Sequence, residues 1–228
     1  WRSGEHGPMQ VVSGPLGRER VHFEAPDAAR VPQEMESFLA WLEREPDLDP
    51  LIKAGLAHFR FVTVHPFEDG NGRIARALTE LLLTRADRSA YRYYSLSRQI
   101  EQDRKGYYDV LERTQASQHM DVTPWLEWFL QKLDLALQEA ERQQEEVRLR
   151  QAYWQRRSRD ALNARQLKVL ELLLGGDFQG KLRTAKYASL TKVSPATAQR
   201  DLQELVEGGY LVSVGAGRST AYELAGAA

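Results

Sequence analysis

The chain has 228 residues, with 31 Lys and Arg against 32 Asp and Glu and a formal charge of -1. No overall attraction therefore commits it to nucleic acid or anionic lipid, and any basic surface must be local. It contains no cysteine, which excludes a disulfide framework and a zinc–thiolate site, and no apolar run approaches the roughly 18 residues of a membrane span. The length suits one large domain or a large and a small one, and the whole reads as a soluble, cytoplasmic protein.

The sequence opens WRSGEHGPMQ, with no starting Met and no charged-then-apolar signal, so Trp1 reads as an internal position of a longer protein. Two short strands are expected at Met9 to Ser13 and Arg20 to Glu24, with GPLG as the turn between them, giving an exposed hairpin over residues 9–24. Helical periodicity then takes over in PQEMESFLAWLER, PLIKAGLAHFRFVTV, ARALTELLLTRA, SRQIEQDRKGYYDVLERTQ and a long stretch from TPWLEWF to RRSR, each with apolar residues three and four apart. In the last of these, Thr123 is read as the N-cap with Pro124 at the first helical position. Near Leu137 its composition turns almost wholly charged. Sustained heptads are lacking, so this half reads as a solvated connecting helix rather than a coiled-coil partner site. Beyond Asp160 come LNARQLKVLELLLGG, TAKYASLTK and SPATAQRDLQELVEGG, then two strands around a Gly-rich turn in YLVSVGAGRSTAYEL. Three helices and a hairpin make a winged helix-turn-helix, with Ser194 capping the third helix, Pro195 starting it, and Thr197, Gln199, Arg200 and Gln203 on or near its exposed face. The predicted fold is mainly α: a helical core over 1–134, a connecting helix over 135–160 and a winged helix-turn-helix over 161–228.

The chemistry concentrates in HPFEDGNGR, from His65 to Arg73. Pro66 ends any helix carrying His65, and Gly70 and Gly72 around Asn71 permit backbone conformations that turn successive N–H groups toward one concavity at a helix start. Such a nest, with a helix dipole behind it, binds anions. Arg73 and Arg76 are three apart on the following helix and can grip the same phosphates. Asp69 beside phosphates is a natural Mg²⁺ ligand, and His65 is the group in the loop able to act as a general base near neutrality. Taken singly, a Gly-rich loop is often only a turn, and a lone His is more often a core residue. A zinc site using His65 and Asp69 is disfavoured because Pro66 and the glycines interrupt the helix that a four-residue spacing needs. Eight specified residues in nine positions, however, would arise by chance at about one in 10¹⁰ per site.

This string resembles the signature of the Fic family, HPFxDGNGR with an arginine three residues on. The resemblance extends over about residues 1 to 134: the hairpin is similar to the family's flap, AGLAHFRFVTVHPF to its central helix, and SLSRQIEQDRKGYYDVLERTQ to the helices that follow. The tail resembles a bacterial subgroup in which a winged helix follows the core. The resemblance implies that His65 deprotonates a target hydroxyl, that Phe67 packs under the loop, and that Asp69 holds Mg²⁺ between the α- and β-phosphates of ATP. It further implies that Gly70, Asn71 and Gly72 stabilise the α-phosphate while Arg73 and Arg76 bind the β- and γ-phosphates, all within a catalytic loop over 65–76. Adenine would lie between the flap, near Val12 and Ser13, and the helix carrying Tyr107. Gln115 stands where many relatives have Asn, which puts its contact to the base in question.

The family holds adenylyltransferases, a few phosphocholine transferases and the kinase-like Doc branch. Doc-type loops carry Lys where this chain has Gly72, so the loop looks like the AMP-transferring form, acting on a Ser, Thr or Tyr hydroxyl of a target protein whose segment would pair with the flap edge at Met9 to Gly14. The rival reading is a DNA-binding regulator or a toxin-like protein, in which the core senses nucleotide or transfers another phosphate-containing group. Lys186, Lys192, Arg200 and Arg218 favour DNA contact, while Asp201, Glu204 and Glu207 on the recognition helix favour a protein-docking or dimer-forming winged helix. A homo-oligomer is open on either reading. The resemblance also implies an inhibitory helix of pattern [S/T]xxxE[G/N] whose glutamate meets Arg76. Ser97 with Glu101, Thr123 with Glu127 and Ser219 with Glu223 have the spacing, but none is followed by Gly or Asn, so the restraint is expected in a segment upstream of Trp1.

Overall fold

The computed structural model describes residues 1–228 except 6, 14–17, 19, 45–47, 88–91, 118–120, 177 and 227–228. The expected GPLG turn and Gly14 at the flap edge fall outside the described residues, as do the side chains of Ser13 and Arg218. The chain divides into two compact units, Trp1–Ala140 and Glu141–Ala228. Its mainly helical architecture with two small hairpins is the one that the sequence predicts.

In the first unit, β1 (Gln10–Ser13) and β2 (Arg20–Glu24) pair antiparallel. Val11 lies opposite Phe23 but Val12 lies opposite Val21, which makes His22 an extra residue in the ladder. Such a bulge re-aims side chains locally. Next come α1 (Val31–Glu43) and α2 (Pro50–Val64). Helix α2 starts where the Asp49 side chain accepts from the Leu51 and Ile52 N–H groups with Pro50 at the first helical position, an N-cap and a pre-set φ acting together. It is the central element, with Ala54, Ala57, His58, Phe59, Phe61, Val62 and Val64 all buried. Helices α3 (Asn71–Asp87), α4 (Leu96–Gln102), α5 (Arg104–Gln115) and α6 (Thr123–Gln155) follow, and the division between the units falls within α6.

Gly55 lets α6 approach α2: an added Cβ would stand 3.0 Å from the Phe129 ring, and the Trp125 indole N–H donates to the Gly55 carbonyl at 2.8 Å. Trp125, Phe129 and Phe38 are fully buried, each contributing about 1.5–3 kcal/mol of apolar burial.

Two local readings are corrected. The stretch SRQIEQDRKGYYDVLERTQ is two helices, because Asp103 leaves the helical region at φ -120, ψ 51 and its side chain accepts from the Gly106 N–H to cap α5; periodicity cannot reveal a break bridged by a capping residue. Thr123 is not an N-cap but lies within α6, and the Asp121 carboxylate accepts its N–H at 3.0 Å.

In the second unit, α7 (Ala164–Leu174) starts with a reciprocal capping box between Asn163 and Gln166, followed by α8 (Thr184–Thr191) and α9 (Pro195–Glu207), the latter capped by Ser194 as predicted. Strands β3 (Leu211–Val214) and β4 (Ala221–Leu224) form the hairpin. An isolated bridge between Leu182 and Tyr222 adds a short third edge. Val169, Leu170, Tyr187, Leu202, Leu205 and Leu211 form its core. Asp201, read from sequence as a surface acid of the recognition helix, is instead 1% exposed. Its carboxylate takes the Arg165 guanidinium at 2.8 and 3.0 Å and the Tyr187 hydroxyl at 3.0 Å.

Candidate active site

The site is built where α2 stops. Proline disfavours right-handed helix at the residue before it, and His65, ahead of Pro66, takes the left-handed conformation at φ 50, ψ 60 while its N–H still closes the last helical turn on Phe61. A non-glycine residue there is strained by about 1–2 kcal/mol, so its neighbours must hold it. Arg2 does so: 5% exposed, it donates from Nε to the His65 carbonyl at 2.8 Å and from its backbone N–H to the Pro66 carbonyl at 2.9 Å, and its Nη2 reaches the Pro26 carbonyl. Trp1 packs on Phe67, which in turn packs on Phe61. Gly70 at φ 86 supplies the turn into α3.

Asn71, read as a phosphate ligand, is 2% exposed. Its amide oxygen accepts from the Phe67 N–H at 3.0 Å and its amide nitrogen donates to the Phe67 carbonyl at 2.7 Å. Its side chain thus staples the loop, and what it offers an anion is its backbone N–H among the unpaired donors at the start of α3.

The His65 ring stands with Nδ1 3.2 Å from the Val62 carbonyl. A carbonyl only accepts, so Nδ1 carries the hydrogen and Nε2 is left with its lone pair. Burial first, and the charge of Arg2, hold the His65 pKa below 6.5 against the opposing Val62 bond. The imidazole is therefore a free base at neutral pH.

Two adjoining cavities meet here. The larger, about 850 Å³, is lined by His65, the run Glu68 to Arg73, Arg76, and residues of α4 and α5 including Arg98, Glu101, Arg104 and Tyr108. The smaller, about 140 Å³, lies between the flap residues Val11, His22 and Phe23 and the α5 residues Leu111, Glu112 and Gln115, and it shares His65, Gly72, Arg76, Tyr107 and Tyr108 with the first. Four arginines against three carboxylates line the larger cavity, which suits an anion. Among the described residues no group of three or more His, Cys, Asp or Glu is assembled to hold a metal ion.

His65, Asp69, Gly70, Asn71, Gly72, Arg73, Arg76 and Tyr107 are brought to the larger cavity, and Gln115 to the smaller one. Asp69 pairs with Arg73 at 3.2 Å, both largely exposed, a weak and separable contact. Gln115 donates to the Thr63 hydroxyl at 3.0 Å. Val12 is not brought there: it is 47% exposed, and Val11 lines the smaller cavity in its place. The bulge at His22 sets which face each flap residue takes, and sequence alternation cannot show it. Tyr107 is 5% exposed, with Tyr108 beside it as the more open aromatic wall.

Sequence reasoning also missed Arg2, Arg104, Tyr108, His22 and Glu112. His22 and Glu112, 90 positions apart, meet at 2.6 Å and tie the flap to α5. Arg104 and Tyr108 have the i, i+4 spacing that would have marked them as neighbours. Of the three Ser/Thr–Glu pairs, Ser97 and Glu101 line the larger cavity.

A family model described as Fic/DOC family matches residues 3–83, and one described as a DeoR-like helix-turn-helix domain matches residues 165–217. The protein adenylyltransferase fic-1 of Caenorhabditis elegans is 43% identical over 84 residues, 36% of this chain and 16% of that protein. The protein adenylyltransferase Fic of Nematostella vectensis is 36% identical over 98 residues, 41% of this chain and 20% of that protein. The chain thus matches a fifth or less of the length of these relatives. A crystal structure of a Fic family protein from Desulfovibrio desulfuricans G20 is 26% identical, covers 93% of this chain and 60% of its own, and superposes with a TM-score of 0.49. The chain carries a Fic/DOC family domain in its first unit and a DeoR-like helix-turn-helix domain in its second.

Proposed function

We propose that the chain is a protein adenylyltransferase that moves AMP from ATP to a Ser, Thr or Tyr hydroxyl of a target protein. The observation that carries this reading is His65: held by Arg2 and Val62, neutral, with Nε2 available beside a cavity of arginines and helix N–H donors. The names of the relatives support the same activity. In the reaction the hydroxyl oxygen bonds to the α-phosphorus, the bond from that phosphorus to the bridging oxygen breaks, pyrophosphate leaves, and Nε2 of His65 takes the hydroxyl proton. The N–H groups of Gly70 to Gly72 meet charge that grows on the α-phosphate, so they stabilise the transition state more than the ground state. Arg73 and Arg76 hold the outer phosphates, and the smaller cavity takes the adenine.

Of the three carboxylates that line the phosphate cavity, Asp69 is the one in the loop ahead of α3 that pairs with Arg73, and it is largely exposed; one carboxylate together with phosphate oxygens is a donor set that Mg²⁺ accepts. Bound there, Mg²⁺ would offset phosphate charge; Arg73, released from Asp69, would turn to phosphate. The target segment would add to the flap edge by main-chain pairing. The test is incubation with α-labelled or γ-labelled ATP, Mg²⁺ and a lysate. Protein labelled from the α- but not the γ-position is the expected result, and γ-labelling alone would replace AMP transfer with phosphate transfer.

A second reading concerns the helix-turn-helix unit. With Asp201 turned inward onto Arg165, the outer face of α9 shows Gln199, Arg200 and Gln203 beside exposed Glu204 and Glu207, and α8 is flanked by exposed Arg183 and Lys192. This surface suits the phosphates of duplex DNA. Binding that weakens steeply with salt, with the slope reduced by about one in Arg200→Ala, is the expected outcome; salt-independent or absent binding would return the unit to protein docking.

A further inference from the structure

Behind the cavity wall lies a chain of buried polar groups that the reaction does not use. His58, in the middle of α2, has no exposed surface, and its ring stacks on Trp125 with centroids 5.3 Å apart. Its Nδ1 lies 2.9 Å from the Thr79 hydroxyl on α3, and its Nε2 lies 2.9 Å from the Tyr107 hydroxyl on α5. The Thr79 hydroxyl donates to the Ala75 carbonyl at 2.8 Å. Having spent its one proton there, Thr79 must accept from His58, so Nδ1 carries the hydrogen. A neutral ring then has only an acceptor at Nε2, and Tyr107 must donate to it. Burial, with the Arg76 charge second, holds His58 far below its ordinary range at about 3, in agreement with a neutral ring. Every proton direction from Tyr107 through His58 and Thr79 to Ala75 is therefore set.

The ends of this relay are what give it a use. Tyr107 borders both cavities, and the Ala75 carbonyl belongs to the peptide leading into Arg76, which also borders both. We propose that His58 is a positioning residue that, through Tyr107 and Thr79, fixes α5 against the Ala75–Arg76 turn of α3 and so sets the span between the base cavity and the phosphate-gripping arginine. This rests on reading the paired cavities as a site for ATP. Hydrogen bonds lose strength steeply when misaligned, so three in series resist a sliding of helices that packed methyl groups would tolerate. Breaking one link leaves a buried donor or acceptor unpaired and frees the two walls to drift.

Two substitutions separate this role from plain space-filling. Thr79→Val keeps the side chain's shape and removes the hydroxyl; Thr79→Ser keeps the hydroxyl and removes a methyl. Packing alone predicts that the serine variant is the impaired one, whereas the relay predicts the valine variant. Binding of ATP and of inorganic tripolyphosphate, each with Mg²⁺, is measured on the full chain. The expected result for Thr79→Val is ATP affinity lower on the order of tenfold with tripolyphosphate affinity unchanged, because only ATP spans both cavities; Thr79→Ser should match the wild type for both. Should Thr79→Val fail to fold by circular dichroism, Tyr107→Phe opens the relay at its other end and is expected to give the same split. Unchanged ATP affinity in the folded variant, or equal losses for both probes, overturns the proposal. A wild-type chain that binds tripolyphosphate but not ATP overturns the nucleotide reading itself, and the relay's role falls with it.

Discussion

The Nδ1 of His65 stands 3.2 Å from the carbonyl oxygen of Val62, one turn back along the helix that His65 itself terminates. A helix end thereby selects the tautomer of the residue just past it. Leaving Nε2 free is what a general base requires. His65→Ala should abolish AMP transfer while ATP affinity, resting on α3 and its arginines, stays within about threefold. Transfer persisting in this variant would remove His65 from the mechanism. Because burial lowers its pKa below 6.5 and the base acts deprotonated, kcat/KM should rise with pH only below that value and be flat across neutrality.

Arg2 gives this pH profile a handle. Its charge helps to lower the His65 pKa, so Arg2→Met should raise that pKa and move the acid limb toward higher pH. The same substitution leaves the His65 carbonyl without its Nε donor, at a cost of about 1–3 kcal/mol. Thermal unfolding and the pH–rate profile should therefore both shift. An unmoved acid limb would mean that Arg2 holds the loop without tuning it.

Asp69→Ala removes the carboxylate offered to Mg²⁺ and the partner of Arg73. The rate should fall by on the order of a hundredfold or more, and the remaining rate should lose its response to Mg²⁺. Titration of activity with the metal checks this; an unchanged Mg²⁺ response would sink the assignment. Arg76→Ala should instead raise KM for ATP, because Arg76 borders both cavities.

Asp201 is held below the ordinary carboxylate range by the Arg165 hydrogen bonds first and by those of Tyr187 and Asn163 after, with burial opposing. A depressed folded-state pKa contributes stability above the ordinary value and loses it as pH falls through the depressed one. Asp201→Ala should destabilise the second unit by about 2 kcal/mol at pH 7, and the difference from wild type should narrow below pH 4 or so. Hydrogen exchange of the α7 and α9 amides in the full chain measures it. A pH-independent difference would make the effect one of packing alone.

Apart from the break at Asp103, the sequence by itself determined which elements form and what the loop is made of. Ser194–Pro195 and Asn163 with Gln166 mark helix starts through local hydrogen bonds, and His65-Pro66 followed by Gly70 to Gly72 encodes a helix stop, a turn and a helix start through φ restrictions that neighbours impose on each other. Those are short-range effects, and short-range effects are legible in a string. Tertiary structure decided what cannot be read along the chain. Arg2 reaches His65 across 63 positions and His22 reaches Glu112 across 90. One extra residue in the flap turned Val11 rather than Val12 inward. Asn71 and Asp201, whose polarity suggests a ligand and a surface charge, are spent on Phe67 and Arg165 instead. For Arg2, His22 and Asp201 the polar side chain is defined by a partner 36 to 90 positions away, and that partner is set by how the helices and the flap pack, not by the residues on either side. For Asn71 the partner is in the same loop, but that the side chain turns inward to it rather than outward to a ligand is decided by burial.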